Sequence, residues 1–351
     1  MSQQDRTLDR YQELMQINAA SHVLRAAREV GIFNELRRGQ RTADQLAEAL
    51  RLDRAGLDLM LECLLSMNVI ERYADDHALA PVMQLLCQYD NDLGDLAWQQ
   101  LAGIVRGEQA MAAPGPGPAA PREPENSTGR SYLDSIAATQ WVHTPAAMQA
   151  AEMLDMGGET GPTGLPEPDG GTAPLRIVDL GCGSAVWSCA MAYRDGRATI
   201  LAIDDEPPLA AARSTADSIR MGDRFETSAG DPADVPLEES HYGLAVIAQR
   251  LHCLTPEGRD RLIDRAITSL HPGGRLVLID LFRGPTKPRL SETIEALRVH
   301  VGTGGGGHGK MQSADELKTL LRQRGLVDIR FSFIAASRVN LGMMVATKAA
   351  D

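Results

Sequence analysis

The stretch Leu175 to Val186, LRIVDLGCGSAV, limits what this chain can fold into more than any other. An apolar run leads into Asp179, then Gly181 and Gly183 stand one residue apart ahead of a helix-like stretch. Apolar residues on both faces of the pleat predict a buried parallel strand. Glycines directly after it predict a turn where backbone approaches a ligand closely. The unit is a ligand-binding strand, loop and helix.

What the loop lacks narrows the ligand. A dinucleotide fingerprint needs a third glycine three residues after the second, and Val186 stands there. A pyrophosphate is also disfavoured by a carboxylate as close as Asp179, whereas a cationic ligand gains from it. The DxGxG pattern resembles motif I of the class I S-adenosylmethionine-dependent methyltransferases, whose glycine loop passes under the methionine part of the cofactor. The resemblance implies S-adenosyl-L-methionine as cofactor, and its positive sulfonium and ammonium suit an acidic loop. Taken alone, DxGxG also fits a tight turn in another α/β sheet.

The 351 residues hold one large or two ordinary domains, and 43% hydrophobic content suffices for their cores. A net charge of -12 without a long basic stretch argues against nucleic acid as a partner. Cysteines at 63, 87, 182, 189 and 253 form no CxxC pair, which speaks against a disulfide framework and against a metal site. Reduced thiols, a polar N-terminus and no apolar run of membrane-spanning length predict a cytoplasmic protein off the membrane.

In chain order, Leu14, Ile17, Ala20, Val23, Leu24, Ala27 and Val30 predict an amphipathic helix over 11–30 that stops at Gly31. Its apolar face needs a partner. Thr42 and Gln45 form a capping-box signature for a helix over 42–50, and Asp53 caps a third that buries Leu57, Met60, Leu61, Leu64 and Leu65. Val69–Tyr73 and Ala78–Leu79 flank an expected turn at Asp75, Asp76 and His77. Three helices and a hairpin make a winged-helix pattern. The segment Arg51 to Ser66 mixes Arg51 and Arg54 with Asp53, Asp58 and Glu62, so it lacks the field of a DNA-recognition helix. The layout resembles the N-terminal dimerisation domain of plant-type and bacterial small-molecule O-methyltransferases, which implies a homodimer through this half. Further helices are expected over 81–88 and 92–106.

The Pro- and Gly-rich stretch 112–129 reads as a linker, 131–156 regains helical spacing, and 157–174 is a second loop at a domain boundary. Strands are then expected at 175–180, 198–203, 224–228, 243–248 and 275–281, and helices at 184–193, 207–221 and 256–270. A connection at 302–309, a helix at 313–324 and strands at 327–333 and 339–347 complete the chain. Such alternation predicts an α/β class fold: a Rossmann-like methyltransferase domain with a doubly wound sheet and an antiparallel last strand, preceded by a mostly α winged-helix dimerisation domain. The expected divisions are 1–110 for dimerisation, 111–174 for linker and bridging helices, and 175–351 for cofactor binding and catalysis.

Residues for chemistry fall at strand ends. Asp204, with Asp205 beside it, closes the second strand, where a carboxylate can accept both ribose hydroxyls; helix capping ahead of Pro207 is the alternative. Gly230-Asp231 resembles the family's Gly-Asp pair whose carboxylate accepts from the adenine amino group, though Gly-Asp-Pro also punctuates turns. His252 stands where the resembled enzymes carry a histidine base in a His-Asp-Trp sequence; here Cys253 and Leu254 follow it. An imidazole titrates near neutral pH and can take a hydroxyl proton as the methyl bond forms. Asp280, closing LVLID, matches the acid that orients that histidine, where the family more often has glutamate. A third family acid is absent, with Met311 in its place. Cys253 is expected on the opposite strand face from His252, so no Cys-His dyad is expected, and His308 reads as a solvated loop histidine.

The cofactor set is therefore Asp179, Gly181, Gly183, Asp204, Gly230 and Asp231, and the catalytic set is His252 and Asp280. The expected reaction is S-adenosylmethionine-dependent methylation of a hydroxyl on a small aromatic or polyketide-like molecule. A C- or N-methyltransferase on the same scaffold and a cofactor-binding DNA regulator stay open as alternatives.

Overall fold

A computed structural model describes residues 3–83, 98, 101–106, 140–167, 171–283, 290, 293–294, 297, 300, 311–337 and 341–350. The expected linker 112–129, residues 131–139 of the bridging segment, the 302–309 connection with His308, Cys87 and most of the helices expected over 81–88 and 92–106 lie outside these residues. The chain divides into two units, Met1–Asp95 and Leu96–Asp351.

In the first unit, α1 (Gln3–Glu29) runs to Gly31, whose φ of 88° ends it, and α2 (Ile32–Leu36) follows. Strand β1 (Arg41–Thr42) leads into α3 (Ala43–Leu50) through the expected capping box, with Thr42 Oγ1 accepting from Gln45 N and Gln45 Oε1 accepting from Thr42 N. Asp53 caps α4 (Arg54–Ser66) by accepting from Gly56 N. Ile32, Phe33, Leu46, Leu57, Leu61 and Leu64 meet in one core; Met60 and Leu65 only border it. Strands β2 (Ile70–Tyr73) and β3 (Asp76–Leu79) form the wing, and β1 joins as a third strand in the order β1-β3-β2. The turn is tighter than the expected Asp75-Asp76-His77. Ala74 takes φ 55° and lets the chain reverse over fewer residues, so Asp76 and His77 pair with Tyr73 and Arg72.

The second unit contributes α5 (Leu101–Val105), a one-turn 3-10 helix at Gln140–His143 and α6 (Thr144–Met153). Alternation then begins with β4 (Arg176–Leu180), α7 (Val186–Arg194), β5 (Thr199–Asp204), α8 (Glu206–Ser218), β6 (Phe225–Ala229), β7 (Tyr242–Ala248), α9 (Pro256–Ser269) and β8 (Leu270–Leu281). It closes with α10 (Ala314–Gln323), β9 (Leu326–Phe333) and β10 (Leu341–Lys348). The sheet order is β6-β5-β4-β7-β8-β10-β9, with β10 antiparallel to both neighbours and the pairs among β4 to β8 parallel. This is the doubly wound sheet with an antiparallel last strand.

Its strands alternate between two cores. Ile177 and Val246 face Trp187 and Met191 of α7, while Val178 and Ile247 face Leu262 and Ile263 of α9 and Leu321 of α10. From β4 the chain steps outward to β5 and β6, then returns to β7 on the other side. The reversal puts a topological switch point beyond the carboxyl ends of β4 and β7, where open α/β sheets hold ligands.

Two boundaries differ from expectation for local reasons. Helix α7 starts at Val186 rather than 184 because Ser184 is bound by Gln140 and Ala185 takes φ 55°, which a helix cannot include. Strand β8 starts at Leu270 rather than 275: the chain of β7 shifts register between Tyr242 and Leu244, which absorbs the His271-Pro272-Gly273-Gly274 segment into the pairing.

Candidate functional site

The glycine loop is fixed from beneath by the neighbouring strand. Gly181 N and Cys182 N both donate to Ile203 O, at 2.8 and 3.2 Å, and Gly183 N donates to Asp204 Oδ2 at 2.9 Å. Gly181 and Gly183 have φ of 75° and 56°, the left-handed region that favours glycine. Their missing side chains are also used. A Cβ on Gly181 would lie 3.0 Å from Arg250 Cγ and Cδ, and one on Gly183 would lie 2.5 Å from Gln140 Oε1. Gln140 further accepts from Ser184 N and Oγ, which pins the loop's far end.

Asp204 ends β5 with its carboxylate 2% exposed and aimed at this loop. Its Oδ1 accepts from Asp205 N at 2.9 Å and faces Arg250 Nη1 at 3.7 Å. Gly230 N donates to Asp204 O, bringing the Gly230-Asp231 turn alongside. Asp231 itself is exposed, and its Oδ1 accepts from Ala233 N in a tight turn. The structure therefore joins Gly181, Gly183, Asp204 and Gly230 in one backbone network, with Asp231 on the adjoining turn.

Asp179 is placed differently from the crevice-facing carboxylate that the sequence suggests. It shares the β4 face that carries Ile177, so it points under the loop toward α7, where Ser188 Oγ donates to Oδ2 at 2.5 Å. It is 1% exposed, and its Oδ1 has no hydrogen-bond partner among the described residues. Burial pushes its pKa up to about 7, the Ser188 hydrogen bond opposes this, and the Asp204 charge adds to it. The negative charge of the loop is thus smaller than two carboxylates imply. Burial also pushes Cys189 up to about 12 and Cys182 well above the ordinary thiol range, so both stay protonated.

Beyond β7 the chain turns sharply at Gln249, φ 54°, and enters a 3-10 turn over Leu251–Cys253. That turn inserts His252 against the end of β8. His252 Nδ1 lies 2.5 Å from Asp280 Oδ1, and His252 N donates to Asp280 Oδ2 at 3.2 Å. Leu281 N also donates to Oδ1, so the carboxylate is held on both oxygens. Both residues are buried, the histidine 4% and the aspartate 0% exposed. Burial pulls the imidazole pKa down, but the Asp280 charge and hydrogen bond, joined by Cys253, outweigh it and hold it well above the ordinary value. The expectation for Cys253 is corrected here. A 3-10 turn does not alternate faces, and the Cys253 side chain is a second hydrogen-bonding neighbour of the imidazole.

Sequence reasoning passed over four contributors. Arg250 stands two residues before His252 and was visible as a cation in an acidic neighbourhood. Ser188 stands nine residues after Asp179, where the first turn of α7 returns over the strand. Gln140 and the Gln249 bridge between Trp187 Nε1 and His143 Nε2 span 44 to 106 residues of sequence, and no local pattern announces them. Among the described residues no three His, Cys, Asp or Glu side chains gather as a metal site, and no helix is long and apolar enough to cross a membrane.

The fold is that of a Rossmann-like methyltransferase, and comparison with known proteins agrees. A family model for the O-methyltransferase dimerisation domain matches residues 12–85, and one described as a methyltransferase domain matches 177–274. The chain thus joins a stretch similar to an O-methyltransferase dimerisation domain to one similar to a methyltransferase domain. In solved structures, the mitomycin 7-O-methyltransferase MmcR superposes with a TM-score of 0.72 at 20% identity, covering 99% of each chain. Human N-acetylserotonin methyltransferase in complex with SAM superposes at 0.68 and 19% identity, covering 100% of this chain and 99% of that one. Likeness at such identities is a likeness of fold. Carboxy-S-adenosyl-L-methionine synthase of Salmonella arizonae is 31% identical over 110 residues, 30% of this chain and 44% of that protein. The chain thus spans under half the length of the curated relatives it matches.

Proposed function

We propose that the chain is an S-adenosyl-L-methionine-dependent O-methyltransferase that methylates a hydroxyl of a small aromatic or polyketide-like molecule, with His252 as general base. The observation that carries this reading is the buried His252–Asp280 pair beside the glycine loop and Asp204. A proton-accepting group and a glycine-lined, acid-flanked crevice lie at one end of one sheet. Neighbours crystallised with SAM or SAH support the cofactor.

The residues fit that cofactor. Asp204 offers a buried carboxylate for ribose hydroxyls, Asp231 an exposed one for the adenine amino group, and Gly181 and Gly183 a surface without side chains. Gly230 keeps Asp204 and Asp231 together, and Asp179 braces the loop through Ser188. The cofactor, when bound, supplies a methyl group activated by its sulfonium. Asp280 holds Nδ1 of the imidazole, so Nε2 is the atom that takes the acceptor's hydroxyl proton, and the carboxylate then steadies the imidazolium. Alignment of acceptor and donor contributes the remaining acceleration.

The reading includes a homodimer joined through the N-terminal unit and working in the cytoplasm, where the donor is made. The test is a calorimetric titration with S-adenosylhomocysteine followed by product analysis on a panel of phenols and enols. Saturable binding and a methyl group located on oxygen support it. A methyl on carbon or nitrogen would transfer the chain to the alternative chemistry, and salt-dependent duplex binding without methylation would make it a regulator.

A further inference from the structure

Arg250 occupies an unusual position. Its stem lies across Gly181, its Nη1 is 3.7 Å from Asp204 Oδ1, and its side chain is only 12% exposed. That separation is too long for a hydrogen bond. Its Nε is buried and has no hydrogen-bond partner among the described residues. Asp204, by contrast, is well supplied without it, since Oδ2 accepts from Gly183 N and Oδ1 from Asp205 N. The guanidinium, with a fork of donors, is thus parked on a loose ionic contact inside the crevice assigned to the cofactor.

Resting on the methyltransferase reading, we propose that Arg250 is the ligand for the α-carboxylate of the donor's amino-acid end, held on Asp204 in the free chain and exchanged onto the donor as it binds. The physical argument is charge balance. Ribose hydroxyls that dock on Asp204 take the partner that Arg250 has, and a buried guanidinium left without a counter-ion is costly. The donor brings a replacement, because its amino-acid end carries a carboxylate that matches the guanidinium fork in a bidentate way. One ionic contact is given up and a better one is made. The unmet Nε–H is then a donor kept for the ligand.

The exchange makes a prediction that simple packing does not. S-adenosylhomocysteine has the carboxylate, whereas 5′-methylthioadenosine keeps the nucleoside and thioether but lacks the whole amino-acid end. Titration calorimetry on the full chain compares both ligands with the parent, Arg250→Met and Arg250→Lys. Methionine keeps the apolar stem over Gly181, and lysine keeps the charge without the fork. In Arg250→Met, S-adenosylhomocysteine should bind about tenfold or more weaker, while methylthioadenosine binds as in the parent or tighter because Asp204 is free. Lysine should fall between. Equal weakening of both ligands would reduce Arg250 to a structural strut, and tightening of both would make it a plug; either overturns the assignment while leaving the methyltransferase reading intact. A parent chain that binds neither ligand overturns both.

Discussion

His252 Nδ1 stands 2.5 Å from Asp280 Oδ1 across the gap between a 3-10 turn and a strand end, with neither group open to solvent. The distance fixes the ring's orientation and commits Nδ1 to the carboxylate, which makes Nε2 the nitrogen for the proposed base. Replacing His252 with alanine should lower turnover by about a hundredfold or more. Affinity for S-adenosylhomocysteine should change little, because the ring is held on Asp280, which is outside the set assigned to the cofactor. Steady-state kinetics beside calorimetry separate the effects, and undiminished turnover removes His252 from the chemistry.

With His252 as the proposed base, the same pair sets the expected pH dependence. The folded imidazole binds its proton more tightly than free histidine, whose pKa is 6.5. Its contribution to stability is therefore present below that value and lost as pH rises through the folded one. Catalysis runs the other way, since only the deprotonated ring accepts a proton. The acidic limb of kcat/KM should lie above the ordinary histidine range. In Asp280→Asn the charge is gone while burial remains, so the limb should shift to lower pH as the plateau falls. A limb that stays in place would show that another group titrates there.

Much of this was legible in the sequence where the cause is local. The capping box at Thr42 and Gln45, the stop at Gly31 and the alternation after Leu175 are dictated within a few residues, and the structure has them. What the sequence could not convey is which way a side chain faces once the loop closes over it. Asp179 looked like crevice charge but lies under the loop on Ser188, and Cys253 met the imidazole because a 3-10 turn replaced the strand. Gln140 and Arg250, which fill the spaces left by two glycines, reach them from distant segments or across the sheet.

Those filled spaces can be tested. Alanine at Gly183 would take an L-residue to φ 56° and place its Cβ 2.5 Å from Gln140 Oε1. The backbone cost alone is about 1 to 2 kcal/mol, and the clash adds to it. Gln140→Ala relieves the second part and not the first. In urea denaturation the double variant should therefore lose less stability than the sum of the single variants. Strict additivity would mean that Gln140 moves aside freely.

The N-terminal unit supplies its own test. Leu8, Tyr11, Leu14, Met15 and Ile17 are each more than half exposed along α1, a row of apolar side chains that water penalises. The dimerisation domain matched over 12–85 covers most of that row. Leu14→Glu combined with Ile17→Glu should convert the parent's two-chain mass to that of one chain in light scattering, while the unit's own core, built around Leu46 and Leu61, stays folded by circular dichroism. A variant that remains paired would place the contact elsewhere.

Asp179 offers a stability test that is independent of any ligand. Its carboxyl ionises at 3.8 in the ordinary case and at about 7 here, because burial penalises the charge more than Ser188 relieves it. The folded chain therefore holds this proton more tightly than the unfolded chain. Its stabilising effect is complete below 3.8, declines as pH rises, and is gone above about 7, a loss on the order of a few kcal/mol. Asp179→Asn keeps an acceptor for Ser188 and never ionises. The Tm of the variant minus that of the parent, followed by scanning calorimetry from about pH 4 to about pH 8, should become more positive as pH rises. A constant difference would mean that the buried carboxyl finds its charge compensated, and that the loop above it is as acidic as its sequence reads.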